Sequence, residues 1–391
     1  MTRSASSVAG FTAAGFVAPD HGGLCLDTVL PAVAGSLGVV LDDGLESRVA
    51  QRRLGLPDAT RVCVVLVDGL GHQMLTERSG HAPFLRGLLG AAQVLTVGYP
   101  STTTASMGLF GTGRAAGRTG LAGYTVRNPA TGGLANLVSW EGAGPPEQWQ
   151  REPSVFGQIA ATGVPVTSVG PAKFAGSGLT RAALRGATYR AAERLADRVD
   201  TALFELSAPG VVYLYWGEVD KVGHQHGWQS REWADALNET DRELGRLARS
   251  LPRGTVLLIT ADHGMVDVDL RRLVDVAGVP ALAADVALVA GEPRAVHVHA
   301  APDRSEAVLT RWRATLGDAA VVASGDEAVE AGWFGPVADH VRPLIGDVVV
   351  AATGRSGVVD SRTQTPHSLQ LRGMHGSFTP GEMLVPLVVV A

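Results

Sequence analysis

Apolar residues along this chain fall into two alternating patterns. Uninterrupted runs mark strands buried on both faces: Arg61-Val62-Cys63-Val64-Val65-Leu66-Val67, Val211-Val212-Tyr213-Leu214-Tyr215-Trp216, Thr255-Val256-Leu257-Leu258-Ile259 and residues 384–390. Shorter runs at Val94-Leu95-Thr96-Val97 and residues 164–169 read the same way. Between them, apolar positions recur at helical spacing. Leu26, Val29, Leu30 and Val33 predict a helix within residues 24–37, and another follows the N-cap Ser154. Ala192, Leu195, Val199 and Leu203 predict a helix over 189–207, and a longer one covers 231–251. This strand–helix alternation predicts an α/β fold with a parallel sheet.

Over residues 270–349 the alternation breaks. Val296-His297-Val298-His299 alternates like a half-exposed strand, residues 305–316 form an amphipathic helix, and residues 320–323 and 345–350 are short strands. The expectation is a small α+β cap over 270–349, inserted into a core made of 1–269 and 350–391. Gly, Asn and Pro punctuate residues 121–141, which predicts a long loop or short hairpin. Residues 362–381 form a polar loop.

Hydrophobic residues make up 46% of the 391 and charged residues 18%, enough apolar material for one large core with an insertion. Lys plus Arg number 33 against 38 Asp plus Glu, which argues against a surface for nucleic-acid polymers or anionic membranes. Two cysteines, Cys25 and Cys63, give no disulfide framework, and Cys63 sits in a strand as a small hydrophobe. No run approaches a membrane span. The start, residues 1–19, carries only Arg3 as a basic residue, and Gly and Thr dilute its apolar part; as a secretion signal it is poor. A cytoplasmic location is the expectation, with secretion or a periplasmic site the alternative.

Candidate chemistry sits where strands end. In open α/β sheets ligands gather outside the carboxyl ends of the strands. Asp68 follows the first long strand in Asp68-Gly69-Leu70-Gly71-His72, Asp220 and His224 follow the 211–216 strand, and Asp262-His263 follow the 255–259 strand. Asp220 and His224 stand four apart, so on a helical turn they share a face. His375 lies in Gly373-Met374-His375-Gly376. The 94–97 strand runs into Ser101-Thr102-Thr103-Thr104-Ala105-Ser106, more hydroxyls than one N-cap needs. A hydroxyl there is also placed where backbone N–H groups favour an anion. Three Asp and three His suit two metal ions with N/O coordination. Two divalent ions against three carboxylates leave the site slightly positive, which suits phosphoryl transfer by a metal-activated hydroxyl.

Five ordered motifs carry a resemblance from residue 61 to the C-terminus: V-x-x-V-L-V-D-G-x-G, Y-P-S-T-T-T-A-S, D-x-x-G-H, A-D-H-G-M and G-x-H-G. The chain resembles the alkaline phosphatase superfamily, and within it the nucleotide pyrophosphatase/phosphodiesterase branch. The resemblance implies a three-layer α/β/α sandwich with a mainly parallel central sheet. It implies two zinc sites: Asp220, His224 and His375 at one, and Asp68, Asp262, His263 and the nucleophile at the other. Manganese or iron would accept a similar ligand set. By position the nucleophile is Thr103, with Thr102 as its alternative. The implied reaction is attack by Thr103 on phosphorus of a small phosphate ester or nucleotide, loss of an alcohol or phosphate, and hydrolysis of the phospho-threonine. Two departures stand out. The diesterase branch usually places Asn three residues after the nucleophile to bind a phosphoryl oxygen; here Ser106 takes that place. Monoesterases carry an Arg just after a Ser nucleophile; here Thr104 and Ala105 follow Thr103.

The alternatives to a phosphodiesterase are a phosphonate hydrolase of the phosphonoacetate hydrolase kind, a phosphomonoesterase, a manganese phosphomutase relative, or a catalytically silent metal- or phosphate-binding protein. Tyr124 is a candidate to stack on a base or leaving group, and Lys173 to contact phosphate. His72, His226, Glu218 and Lys221 read as solvated loop residues. His297 and His299 share a strand face, and an exposed face accounts for them.

Overall fold

Seven strands make the central sheet of this computed structural model, which describes residues 11–42 and 44–391. The first ten residues of the 1–19 stretch, Arg3 among them, lie outside the described residues. The strands are β1 (Arg61–Val67), β2 (Gln93–Thr96), β3 (Val166–Gly170), β4 (Thr188–Ala191), β5 (Gly210–Trp216), β6 (Thr255–Thr260) and, at the end of the chain, β11 (Leu384–Val390), in the spatial order β2-β11-β6-β1-β5-β3-β4. The run expected to be buried on both faces, β1, is the centre of the sheet. It pairs in parallel with β5 from Arg61↔Gly210 to Val67↔Trp216, and with β6 from Arg61↔Thr255 to Leu66↔Thr260. These registers bring three carboxyl ends level. Strand β11 runs antiparallel to both β6 and β2, so the sheet is mixed. The reversal brings the amino end of β11 to the edge where β1, β5 and β6 finish.

Helices cover both faces. Helices α1 (Val29–Ser36), α2 (Thr103–Thr112) and α3 (Val155–Ala161) touch one another on one side. Helices α4 (Leu195–Glu205) and α6 (Arg231–Ser250) pack on the other, and α5 (Glu218–His226) precedes α6. The architecture is the three-layer sandwich expected from the sequence. Ser154 caps α3, its side chain accepting the Gly157 N–H. The helix expected over 189–207 starts only at Leu195, because residues 188–191 form the parallel edge strand β4 instead. The sheet edge offers unpaired backbone groups, and that pairing overrides a helical period which Ala192 had seemed to extend.

A second, four-stranded antiparallel sheet has the order β7-β8-β10-β9, from β7 (Val286–Glu292), β8 (Ala295–Ala300), β9 (Ala320–Ser324) and β10 (Val348–Ala352). Strand β10 crosses the return point expected at residue 350. Helix α7 (Ser305–Leu316) packs on one face, and Val296, Val298, Trp312, Val348 and Val350 form a separate small core there. Alternation along β8 was legible, but the half-exposed reading is corrected: His297 and His299 are both buried. Their face turns to the main core, where Ala295, Val349 and Ala351 also pack. His297 is neutral in this setting. Its Nε2–H donates to the Ala122 carbonyl at 3.0 Å, and Nδ1 accepts the Gly346 N–H at 3.2 Å. Among the described residues, no helix is long and apolar enough to cross a membrane.

Burial pushes His297 and His299 down to about 4. An unfolded chain takes up these protons near pH 6.5. Stability held above that pH is therefore lost as pH falls toward 4, at about 1.4 kcal/mol per pH unit for each histidine. Urea unfolding from pH 7 to 4.5 is expected to show a shallower pH slope in His297→Gln than in the parent.

Candidate metal centre

Six side chains of metal-ligating type converge at the edge where β1, β5 and β6 end. Asp68 directly follows β1, Asp262 and His263 follow β6, and Asp220 and His224 sit one turn apart on α5 behind β5. His375 comes from the loop preceding β11, carried to this edge by that strand's reversed direction. Two groups result, Asp68–Asp262–His263 and Asp220–His224–His375, each with its donor atoms within 4.8 Å of one another. Stacking of His263 on His375, 3.6 Å between ring centres, joins them.

Hydrogen bonds fix which atoms face the centre. Each of the three histidines directs Nδ1 to a backbone carbonyl: His224 to Gly373 at 2.7 Å, His263 to Gly264 at 3.0 Å and His375 to Ser101 at 2.9 Å. With that proton on Nδ1, each Nε2 presents a bare lone pair. His263 Nε2 lies 3.4 Å from Asp68 Oδ1 and 3.4 Å from Asp262 Oδ2, and His224 Nε2 lies 3.3 Å from both Asp220 Oδ2 and His375 Nε2. Lone pairs aimed at lone pairs need something positive between them. Asp68 Oδ1, Asp220 Oδ1 and Asp262 Oδ2 are buried with no hydrogen-bond donor, so one acceptor on each carboxylate is left over. A nitrogen and oxygen set with spare acceptors fits divalent cations of the zinc kind.

The electrostatics agree. Burial, then the charges of Asp262 and Asp220, hold the Asp68 carboxyl well above the usual carboxylate range. Burial likewise raises Asp262, and burial followed by the neighbouring His263 and His224 pushes His375 well down. Neutral imidazoles are what a metal requires, and a cation would reverse the penalty on the carboxylates.

A third group, His21, Cys25 and Asp27, also clusters, but its chemistry differs. Both Asp27 oxygens already accept bonds, from Thr28 Oγ1, the Gly22 N–H and His21. Neither Asp27 oxygen lacks a donor, unlike the acids at the sheet edge.

Thr103 opens α2, and its Oγ1 lies 3.2 Å from His263 Nε2. Thr102 occupies the N-cap position but its side chain makes no cap hydrogen bond. The first N–H groups of the helix are thus left for an external acceptor. Thr104 is committed elsewhere, its hydroxyl donating to the Gly123 carbonyl at 2.7 Å. Thr102 and Thr103 both line a cavity of about 480 Å³ that also touches Asp68, Asp220, His224 and His375. Tyr124 and Lys173 lie on its wall, and Tyr124 is 44% exposed there. It projects from a hairpin of Thr125–Arg127 with Leu134–Asn136, the hairpin alternative for residues 121–141. Ser106 is not brought to the cavity: it is fully buried, and its Oγ has no partner. Glu218 and Lys221 pair with each other at 2.9 Å on the rim, and His226 is exposed.

Sequence reasoning missed Tyr215 and Ser101. The Tyr215 hydroxyl donates to Asp68 Oδ2. Its signal was a tyrosine one residue from the end of an otherwise apolar strand, beside Asp68 once the register is known. Ser101 ties the Thr103 segment to the His375 loop: its N–H donates to the Gly376 carbonyl, its Oγ to the Ser377 carbonyl and its own carbonyl accepts from His375. Gly69 has φ +72°, and a Cβ there would stand 2.8 Å from Asp220 Cβ, so only glycine lets Asp68 and Asp220 approach.

Comparison with known proteins follows the same lines. Residues 62–378 match the family model for type I phosphodiesterase / nucleotide pyrophosphatase. Human ectonucleotide pyrophosphatase/phosphodiesterase family member 7 is 41% identical over 66 residues, which is 16% of this chain and 14% of that protein. Among solved structures, murine ectonucleotide pyrophosphatase/phosphodiesterase 5 superposes with a TM-score of 0.67 at 17% identity, covering 84% of this chain and 87% of the murine one. An inactive form of that murine protein has been solved in complex with AMP. Phosphonoacetate hydrolase from Sinorhizobium meliloti, in complex with phosphonoformate, superposes at 0.66 and 20% identity, covering 85% and 90%.

Removing the Tyr215 hydroxyl frees one Asp68 oxygen to turn. Tyr215→Phe is expected to keep its fold and lose about 10- to 100-fold in metal affinity, the usual effect of deleting an orienting partner. A chelator-competition titration with zinc measures this; unchanged affinity would reduce Tyr215 to packing.

Proposed function

Because the chain belongs to the type I phosphodiesterase / nucleotide pyrophosphatase family, we propose that it is a metal-dependent hydrolase of phosphate diesters or pyrophosphate bonds, with Thr103 as nucleophile. The observation that carries this reading is the place of Thr103: its hydroxyl lies within 3.2 Å of His263 Nε2, at a helix start whose cap residue leaves the backbone N–H groups free. Asp68, Asp262 and His263 would hold one divalent ion and Asp220, His224 and His375 the second, zinc being the best match to the ligand set. When bound, such ions supply a lowered hydroxyl pKa at the nucleophile and positive charge to offset the phosphoryl group.

The chain's own residues do the rest. Thr103 Oγ1 attacks phosphorus, and the bond to the leaving oxygen breaks as the new ester forms. The free N–H groups at the start of α2 receive a phosphoryl oxygen, and the helix dipole favours its charge. Water then cleaves the phospho-threonine and restores the hydroxyl. Tyr124 and the apolar part of the cavity wall receive the organic group. A nucleotide is the organic group we favour for this wall, an inactive form of the murine relative having been solved in complex with AMP. Residues 270–349 are read as an insertion that backs this site.

A phosphonate hydrolase is the second reading. Lys173 favours it: this wall cation has its ammonium 5.0 Å over the Phe174 ring and suits a small carboxylate. Turnover of bis-p-nitrophenyl phosphate, p-nitrophenyl phosphate and phosphonoacetate, with metal analysis of the same sample, separates the readings. The diester is expected to lead; turnover of phosphonoacetate alone would install the second reading.

Thr103→Ala is expected to lose at least about a thousandfold in kcat with metal content unchanged. Retained turnover would move the nucleophile to Thr102, and absence of turnover in the parent with full metal would indicate a silent binding protein. Metal binding also has a pH signature. Asp68 and Asp262 hold protons at a higher pH than free carboxylates do. Zinc must expel those protons, so affinity is expected to rise with pH, and adding zinc to metal-free protein in weak buffer should acidify it.

A further inference from the structure

Glu292 is buried at the end of β7, outside the constellation described above. Its Oε2 accepts the backbone N–H of Tyr124 at 2.7 Å. The neighbouring residue reinforces that grip: Thr125 Oγ1 donates to the Gly291 carbonyl at 2.9 Å and accepts the Gly291 N–H at 3.0 Å. On its other side the Glu292 side chain lies against Gly376, the residue after His375. A Cβ on Gly376 would stand 2.8 Å from Glu292 Cγ and 3.0 Å from Oε1, and Gly376 has φ +134°. One side chain is thus wedged between the backbone that carries Tyr124 and the backbone that carries His375.

The same corner of the second sheet holds the His375 loop by another route. Arg294, two residues on, forms a fully buried pair with Glu382 at 2.7 Å. Glu382 also accepts the Ser377 N–H at 3.0 Å and the Thr379 hydroxyl. The turn between β7 and β8 therefore grips both the substrate wall and the metal-ligand loop.

We propose that Glu292 is a positioning residue for catalysis, setting the place of the Tyr124 wall relative to the His375 side of the metal centre and so determining how a large ester group is held. The inference rests on the proposed function. A buried carboxyl group with one oxygen unpaired is costly to keep as mere packing, whichever its protonation state. Burial raises Glu292 to about 8, so near neutral pH it is a mostly protonated acid. Glutamine copies that state: it retains an oxygen for the Tyr124 N–H and nearly the same volume. Alanine or leucine leaves the N–H without an acceptor.

The test compares bis-p-nitrophenyl phosphate with methyl p-nitrophenyl phosphate, the second lacking the large retained group. Glu292→Leu is expected to raise KM for the bis-aryl ester about tenfold, with kcat and zinc content near the parent's and the methyl ester little changed. Glu292→Gln is expected to restore the parental KM. In a double-mutant cycle, adding Glu292→Leu to Tyr124→Ala should bring no further loss, because both act through one wall. Equal losses on both esters, or additivity with Tyr124→Ala, would overturn the proposal. Should Glu292→Leu fail to fold, Thr125→Val weakens the same attachment and is expected to reproduce the selective KM rise; a parental profile in Thr125→Val would then overturn it. Failure of the underlying reading is distinguishable, since it would show in the parent itself, as no turnover of either ester with full metal.

Discussion

Mutual repulsion among the carboxylates of Asp68, Asp262 and Asp220 is the constraint around which this molecule is arranged. In water three such groups would separate. Here Asp68 and Asp262 are buried side by side, and burial with like charge lifts the Asp68 carboxyl well above its ordinary range. Cohesion elsewhere must hold them. It comes from three adjacent parallel strands in continuous register, filled with Val, Leu and Ile, which fix the backbone from which each acid hangs. Close approach also needs Gly69, and the Tyr215 hydroxyl takes one of the Asp68 oxygens. The fold thereby holds together a cluster of acceptors that lack donors of their own.

Topology supplies what parallel strands alone would not. A seventh strand parallel to the rest would carry its preceding loop to the opposite edge of the sheet, far from Asp68. Because β11 runs antiparallel, the loop before it delivers His375 to the correct edge. Just before His375 that loop pairs Gly373–Met374 antiparallel with Val266–Asp267. It is also held by the buried Arg294–Glu382 pair and by Ser101, whose backbone and hydroxyl join it to the Thr103 segment. Buried ion pairs contribute modestly to net stability, yet breaking one typically costs about 3–5 kcal/mol, so such a pair fixes geometry firmly. The second sheet thus bears on the site through its turn between β7 and β8.

The contrast between clusters shows how a metal centre differs from an ordinary polar group. At His21, Cys25 and Asp27 each carboxylate oxygen already has a donor. At the sheet edge, three carboxylates each keep one buried oxygen without a donor, and three imidazoles turn their donors away to backbone carbonyls. Thr103 stands beside that surplus of lone pairs at an uncapped helix start. Surplus acceptors, a hydroxyl and free N–H groups together suit transfer of a phosphoryl group, which must meet cations, a nucleophile and hydrogen-bond donors at once.

Most of the fold, and the acids and imidazoles that gather at the sheet edge, were legible from the chain alone, because all but His375 are encoded beside the strands that carry them. Doubly buried strands show as unbroken apolar runs, and the acids and imidazoles follow them within a few residues, as Asp68, Asp220 and Asp262 do. What the sequence could not determine depends on partners distant along the chain. Residues 188–191 became a strand because β3 offered an edge, although their own pattern read as helix. His297 and His299 were read as exposed because alternation reports two unlike faces, and only packing decided that both are covered. Ser106 was taken toward the substrate by counting from Thr103, while the turn of α2 buried it. Tyr215, Ser101 and Glu292 act through hydrogen bonds to segments 147, 274 and 168 residues away. Periodicity records which faces of an element are apolar; which atoms meet across the molecule is decided when the sheet closes its register and the last strand reverses.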